Sequence, residues 1–342
     1  MQEFMKHHKG SVIFTVITMV LGFGYGMYLF GNVPQAMGVV FIMAVLSVLE
    51  ISLSIDNAIV NAKVLAGMSE IWQKRFLTWG MLFAVFFMRL VFPILIVAIA
   101  GNIGMLEALQ LAINDQDKYS EVLTSSHILI AGFGGSFLFL VALDYFFDVE
   151  KDVHWIAVIE RTLSKLGERK SISIVITLLI MYGFYNYLPE ADAMKFFIAG
   201  IFGIICHEIV KLVGDLMEAG REATSAVAKT GLASFMYLEI LDASFSFDGV
   251  LGALVISKDI FIIAGGLAVG AFAVRSLTIQ LVANGTLTEY KYLEHGAFYA
   301  ILTLATIMFT STIIHIPEII TGVLSIIFIA AGYYCSIREK KD

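Results

Sequence analysis

Charge is what this chain has least of. Only 15% of its 342 residues are charged, against about a quarter in an average soluble domain. So few charges exclude an ordinary soluble globule, whose surface must be tolerated by water. The apolar excess likewise excludes a disordered chain. There are two cysteines, Cys206 and Cys335, both in or beside apolar runs, which excludes a disulfide-stapled secreted domain. No basic tract with interleaved aromatics points to nucleic acid. No G-x-x-x-x-G-K-[ST] loop is present, so ATP is not the direct energy source. His207-Glu208 lacks the second histidine of an H-E-x-x-H motif, and no nucleophile–base pair stands out, so the chain does not read as an enzyme.

Apolar residues are what it has instead: 59% of the chain, with a mean hydropathy of +0.86. Glycine reaches 29 and proline only four. This suits packed membrane helices rather than a β-barrel with its alternating pattern. About twenty apolar residues cross a bilayer as a helix. The sequence predicts an all-α, polytopic transmembrane helical bundle of about ten spans, near 11–31, 36–66, 77–101, 127–147, 171–188, 195–214, 231–257, 260–283, 296–314 and 317–337. With both termini in the cytoplasm, seventeen of the 22 basic residues fall on the cytoplasmic side and three, Lys118, Lys195 and Lys258, outside. That bias agrees with the positive-inside rule. Arg89 and Arg275 fall within spans. The N-terminus shows no cleavage pattern, so the first helix is expected to stay in the membrane. Residues 148–170 read as a cytoplasmic amphipathic helix on the membrane surface or against a neighbour, a scaffolding element.

A motif repeats. Residues 50–57 are Glu-Ile-Ser-Leu-Ser-Ile-Asp-Asn, and residues 242–249 are Asp-Ala-Ser-Phe-Ser-Phe-Asp-Gly. Both read acid-x-Ser-apolar-Ser-apolar-Asp, and an arginine follows in the next span each time. The copies fall in the second and seventh spans, which cross in opposite senses. The chain therefore reads as one integral membrane domain, 1–342, with a first repeat over 36–147 and an inverted second repeat over 231–337. An amphipathic segment and an extra helix pair, 148–230, lie between them. Inverted repeats of this kind mark secondary transporters that bind solute near the midplane.

Intramembrane acids are costly and mark function by default. Glu50, Asp56, Glu239, Asp242 and Asp248 make five, and Arg89 and Arg275 offset two at most. Glu239, Asp242 and Ser246 form one helical stripe, and Glu50, Ser54 and Asn57 the matching one. Asp56 and Asp248 sit about 240° around an ideal helix from their leading acids. Both motif helices are therefore expected to break, near Ser54–Asn57 and near Ser246–Gly249. The donors are all oxygen, which suits a hard divalent cation such as Mn, Ca or Mg. His207 and Glu208 are a candidate proton path, or else a local pair near the cytoplasmic end. Arg89 and Arg275 read as counter-charges to the acids, or as partners of helix carbonyls.

The segments Glu50–Asn57, Glu239–Asp248, Arg275-Ser-Leu, Tyr292-Leu-Glu-His-Gly and His315-Ile-Pro resemble the TerC-type integral membrane proteins, grouped with the LysE-type transporter superfamily. The likeness covers about 36–147 and 231–337. Gly249 and the segment 148–230 depart from it. The resemblance implies a bacterial inner-membrane protein of metal-ion homeostasis, notably manganese export. It implies Glu50, Asp56, Asn57, Glu239, Asp242 and Asp248 as the metal site; the residue pattern itself adds Ser54, Ser246, Arg89 and Arg275 in support. The expected partners are the lipid bilayer, the metal as substrate and protons as counter-ion; oligomeric state is left open. Two rival readings are a metal-sensing or partner-binding membrane protein, and an exporter of a small organic or oxyanion solute. An oxyanion site should be basic, and this one is acidic.

Overall fold

The computed structural model describes residues 2–80, 82–167, 171–219, 226–314 and 316–340; the side chains of some helical residues, 246–248 among them, are outside that description. Among the described residues every regular element is helical. The helices are α1 (Gln2–Phe30), α2 (Val33–Leu53), α3 (Ile55–Ala66), α4 (Glu70–Arg75), α5 (Phe92–Ala100), α6 (Met105–Asn114), α7 (Gln116–Ser125), α8 (His127–Phe146), α9 (Ala157–Leu166), α10 (Ile172–Tyr185), α11 (Glu190–Ala219), α12 (Ala226–Ile256), α13 (Ile260–Ala283), α14 (Thr286–Glu289), α15 (Leu293–Ser311) and α16 (Glu318–Glu339). Between α4 and α5 the chain winds as π-helix over Phe76–Gly80 and Phe83–Val91.

The four prolines all mark helix starts. Pro34 and Pro93 lie in the first turns of α2 and α5, Pro189 precedes α11, and Pro317 caps α16. There the missing N–H costs nothing. Pro93 also removes the donor that an α-helix would offer to the carbonyl of Arg89, four residues back, so the widened turns end where it stands. Asn32 caps α2 by accepting from Gln35 N–H, and Asp259 caps α13 by accepting from Phe261 and Ile262.

Each of the ten expected spans falls on a helix. Seven are long and apolar enough to cross a membrane: His8–Phe30, Val33–Leu53, His127–Phe146, Glu190–Leu212, Ile260–Ala283, Leu293–Ser311 and Ile320–Glu339. Phe86–Ile99 and Ile172–Tyr185 are apolar but shorter. The remaining expected span lies on α12, whose 31 residues suffice in length while Glu239, Asp242 and Asp248 dilute its apolarity. The helices form a multi-pass membrane bundle. α8 lies at its centre, with 72% of its apolar window buried against 11% for α1. α1 instead exposes Val16, Val20 and Leu21, as a lipid-facing helix does.

Small residues bring backbones together without a hydrophobic drive from water. Ser136 Oγ donates to the Gly200 carbonyl at 2.9 Å where α8 meets α11, and Ser47 Oγ donates to the Gly266 carbonyl at 2.9 Å where α2 meets α13. Ion pairs sort by side. Lys63–Glu294, Lys151–Glu160, Lys211–Asp144, Lys291–Glu339 and Lys340–Glu289 join residues assigned to one face of the membrane. Lys258–Asp117 and Lys195–Asp192 join residues assigned to the other. None of these pairs crosses.

The first motif helix breaks as expected. α2 ends at Leu53 and α3 begins at Ile55, with Ser54 at φ −116°, ψ 14° between them. The second does not: α12 continues through Ser246–Gly249. Glycine permits a break but does not force one. Gly249 has another use, because a Cβ there would stand 2.8 Å from Glu50 Oε2. It is the seat for a carboxylate of the other copy.

Candidate functional site

The break at Ser54 turns the two halves of the first motif toward different neighbours. Glu50, on the last turn of α2, is 1% exposed. It pairs with Arg89 from the second π-helical stretch and accepts from Ser54 Oγ at 3.1 Å. A Cβ on Gly270 of α13 would also press on the Glu50 side chain. Beyond the break, Asp56 turns toward α16. It accepts from its neighbour's N–H, Asn57, at 2.9 Å and from Ser325 Oγ at 3.4 Å. Asn57 faces α12 and donates from Nδ2 to Asp242 Oδ1 at 2.7 Å.

Arg275 of α13 serves the second copy. Its Nη2 lies 3.5 Å from Glu239 Oε1 and 3.7 Å from Asp242 Oδ2. Its Nη1 donates to the Phe76 carbonyl at 2.9 Å, and the guanidinium lies 4.0 Å over the Phe76 ring. The first π-helical stretch, Phe76–Gly80, thus holds the arginine at one end, and rare π turns gather at such places. Gly80 leaves room there, because a Cβ would displace the ends of both the Arg275 and Glu239 side chains.

The two copies meet in a reciprocal way. Asn57 touches Asp242, and Gly249 approaches Glu50. In the repeat, position 57 corresponds to 249 and position 50 to 242, so each contact becomes the other when the copies are exchanged. The paired positions also run in opposite order, so the two motif segments cross antiparallel. Arg89 on Glu50 and Arg275 near Asp242 follow the same exchange.

The exchange is not perfect, and the difference is chemical. Glu50 is hydrogen-bonded. In the other set Glu239 Oε1 and Oε2, Asp242 Oδ2 and Asn57 Oδ1 are buried with no hydrogen bond, and Nε and Nη2 of Arg275, which forms only long ion pairs there, make none either. Four orphaned acceptors in one place are expensive in a bundle interior. Among the described side chains, Glu50 is set against Arg89 and Ser54, Asp56 against Ser325, and Asn57, Asp242 and Glu239 are linked through Asn57–Asp242 and Arg275. Among the described residues no group of three or more His, Cys, Asp or Glu lies close enough to hold a metal. The side chains of Ser246 and Asp248, and residue His315, lie outside the described residues.

His207 and Glu208 take the local arrangement. His207 Nε2 lies 3.7 Å from Asp144, its Nδ1 3.2 Å from Glu208, and Lys211 bonds Asp144 at 2.7 Å. Asp144, Glu208 and Lys211 line a cavity of about 660 Å³ together with Asp148, Glu150 and Ser173. None of these contacts involves the motif acids.

Three parts of the site had no signal in the sequence. The Phe76 carbonyl acts through a backbone winding that side-chain patterning does not encode. Gly80 was one glycine among 29. Ser325 lies 269 residues from its partner, Asp56. No curated protein and no solved structure matches the chain. Residues 55–342, which include both arginines, the whole second copy and the first from Ile55 onward, match the model of a family described as protein of unknown function DUF475, and the chain belongs to that family.

Proposed function

We propose that this chain is a secondary transporter of a hard divalent cation, bound where the two motif copies cross. The observation that carries the reading is the set of buried oxygens that make no close hydrogen bond, two of them reached only by the long ion pairs of Arg275: both of Glu239, Asp242 Oδ2 and Asn57 Oδ1. An all-oxygen set with two carboxylates suits Mn, Mg or Ca. The resemblance to TerC-type proteins favours manganese among them, and export as the direction. Arg275 is the counter-charge. Its ion pairs to Glu239 and Asp242 are long, so the guanidinium gives up little when a divalent cation replaces it, and the Phe76 carbonyl keeps hold of its other end. Glu50, Asp56 and Asp248 complete the paired motif.

The broken α2–α3 helix against an antiparallel α12 matches the discontinuous-helix sites of transporters that work by alternating access. Carboxylates that release a cation take up protons, which makes proton exchange the natural drive. The proposed setting is a bacterial inner membrane with both termini in the cytoplasm, in keeping with the distribution of basic residues. The test is manganese and calcium flux in proteoliposomes, with wild type beside Glu239→Gln, Asp242→Asn and Glu50→Gln. Loss of flux in the first two supports the reading. Equal flux in all four proteins refutes the site. Binding without flux in the wild type favours a metal-sensing protein instead.

A further inference from the structure

The contacts that fasten the segment between α8 and α10 centre on one buried carboxylate. Glu160 of α9 is 0% exposed, although α9 is the helix expected to lie polar side out. Apolar residues face outward beside Arg161 and Lys165: Val158 is 85% exposed, Ile159 47% and Leu166 45%, while Leu163 packs inward against the core. Around the Glu160 carboxylate stand Lys151 Nζ at 3.0 Å, His295 Nδ1 at 2.9 Å and His154 Nδ1 at 3.7 Å. The backbone N–H groups of Trp155 and Ile156 donate to it at 3.3 and 3.2 Å. Burial alone would push this carboxyl up, but the His295 and Lys151 donors and charges outweigh it and hold it at about 2.

The same contacts lead to α3. His295 follows Glu294 on α15, and Glu294 accepts from Lys63 Nζ at 2.5 Å. Lys63 is in the last turn of α3. Its ammonium lies 4.6 Å from the Tyr145 ring, and Lys151 lies 4.2 Å from the same ring. Tyr145 in turn stacks on Phe298 at 3.7 Å. The segment is also closed on itself and set against the end of α8: Ser164 Oγ donates to the Asp148 carbonyl at 3.0 Å, and a Cβ on Gly167 would strike the carbonyl of Phe147, the C-cap of α8. From Asn57 to Lys63 along α3 is about 9 Å.

We infer that residues 148–166 form a latch across this end of the bundle, with Glu160 as its pin, and that the latch holds the α3 half-helix in place through α15. A pin of this kind opens reversibly. Glu160 exchanges protein donors for water, and Val158, Ile159 and Leu166 are already outside, so the apolar surface that release uncovers is chiefly that of Leu163 and Trp155. The latch itself is independent of any solute; that it stands on a route to Asn57 rests on the transport reading.

Hydrogen–deuterium exchange on the full-length protein in lipid nanodiscs tests this without metal. The variants are Glu160→Gln, His295→Gln and, as control, Glu150→Gln, an exposed residue of the same segment. Losing a charge-assisted bond should speed amide exchange roughly tenfold or more in both 151–166 and 59–66 for the first two variants, and in neither segment for the control. The latch is overturned if 151–166 speeds up while 59–66 does not, because the segment then has no hold on α3. It is equally overturned if neither segment changes. His295→Gln keeps the test alive if Glu160→Gln fails to fold. Exchange as expected beside absent manganese flux would leave the latch standing and remove only the transport reading.

Discussion

Replacing Arg89 by methionine should be among the most damaging single changes in this chain. The Arg89 and Glu50 side chains are each 2% exposed and form an ion pair in the bundle interior. With Arg89 gone, the donor left to Glu50 among the described residues is Ser54 Oγ at 3.1 Å. One hydroxyl does not compensate a buried carboxylate, and stranding one member of such a pair costs about 3–5 kcal/mol. At roughly 2 °C per kcal/mol for a chain of this size, the Tm of the detergent-solubilised protein should fall by about 6–10 °C. Glu50→Met should cost a similar amount by stranding the guanidinium. The double variant, Glu50→Met with Arg89→Met, should fall by much less than the sum, because apolar replacement of a whole buried pair is often close to neutral. Differential scanning fluorimetry on the four proteins completes the cycle. Strictly additive losses, or single variants within about 1 °C of wild type, would show that the two charges do not depend on each other.

Other expectations are as specific. Gly249→Ala places a Cβ 2.8 Å from Glu50 Oε2 and should destabilise by about 1–3 kcal/mol, as overpacking does. Gly38→Ala, with nothing within 4 Å, should be neutral or stabilise by up to about 1 kcal/mol; thermal melts compare the two. Glu160 is held at about 2, below the ordinary 4.5. Its contribution is therefore complete above about pH 4.5 and lost as pH falls through about 2, so proteolytic nicking of 148–166 should rise over that window in wild type and stay flat in Glu160→Gln. Arg275→Lys cannot span the Phe76 carbonyl and two carboxylates at once, and should slow manganese flux more than it lowers Tm.

Unlike the helix start at Pro93 inside the expected span 77–101, the ten apolar spans follow from composition and are legible in the chain. So are the two acid sets and their arginines, because a charge inside an apolar run cannot be camouflaged. The break at Ser54 is legible as well. Its absence from α12 is not: Asn57 and Gly249 both permit a break, and what distinguishes them is the Glu50 carboxylate that needs the space over Gly249. Glu160 is the same lesson reversed. Its place in an amphipathic pattern points to water, yet His295, 135 positions away, sits against it on α15.

By itself, then, the sequence determined the solvent, the helices and which residues are too expensive to be idle, since each of these depends on the transfer of a single side chain or backbone group. Partnership was decided only by the tertiary structure. It set Glu50 against Arg89 as a closed pair, left Glu239, Asp242 and Asn57 with open oxygens, and drew the α9 carboxylate Glu160 inward. The two copies of one motif came to differ because electrostatic and hydrogen-bond energies belong to pairs of groups, and folding alone chooses the second member of each pair.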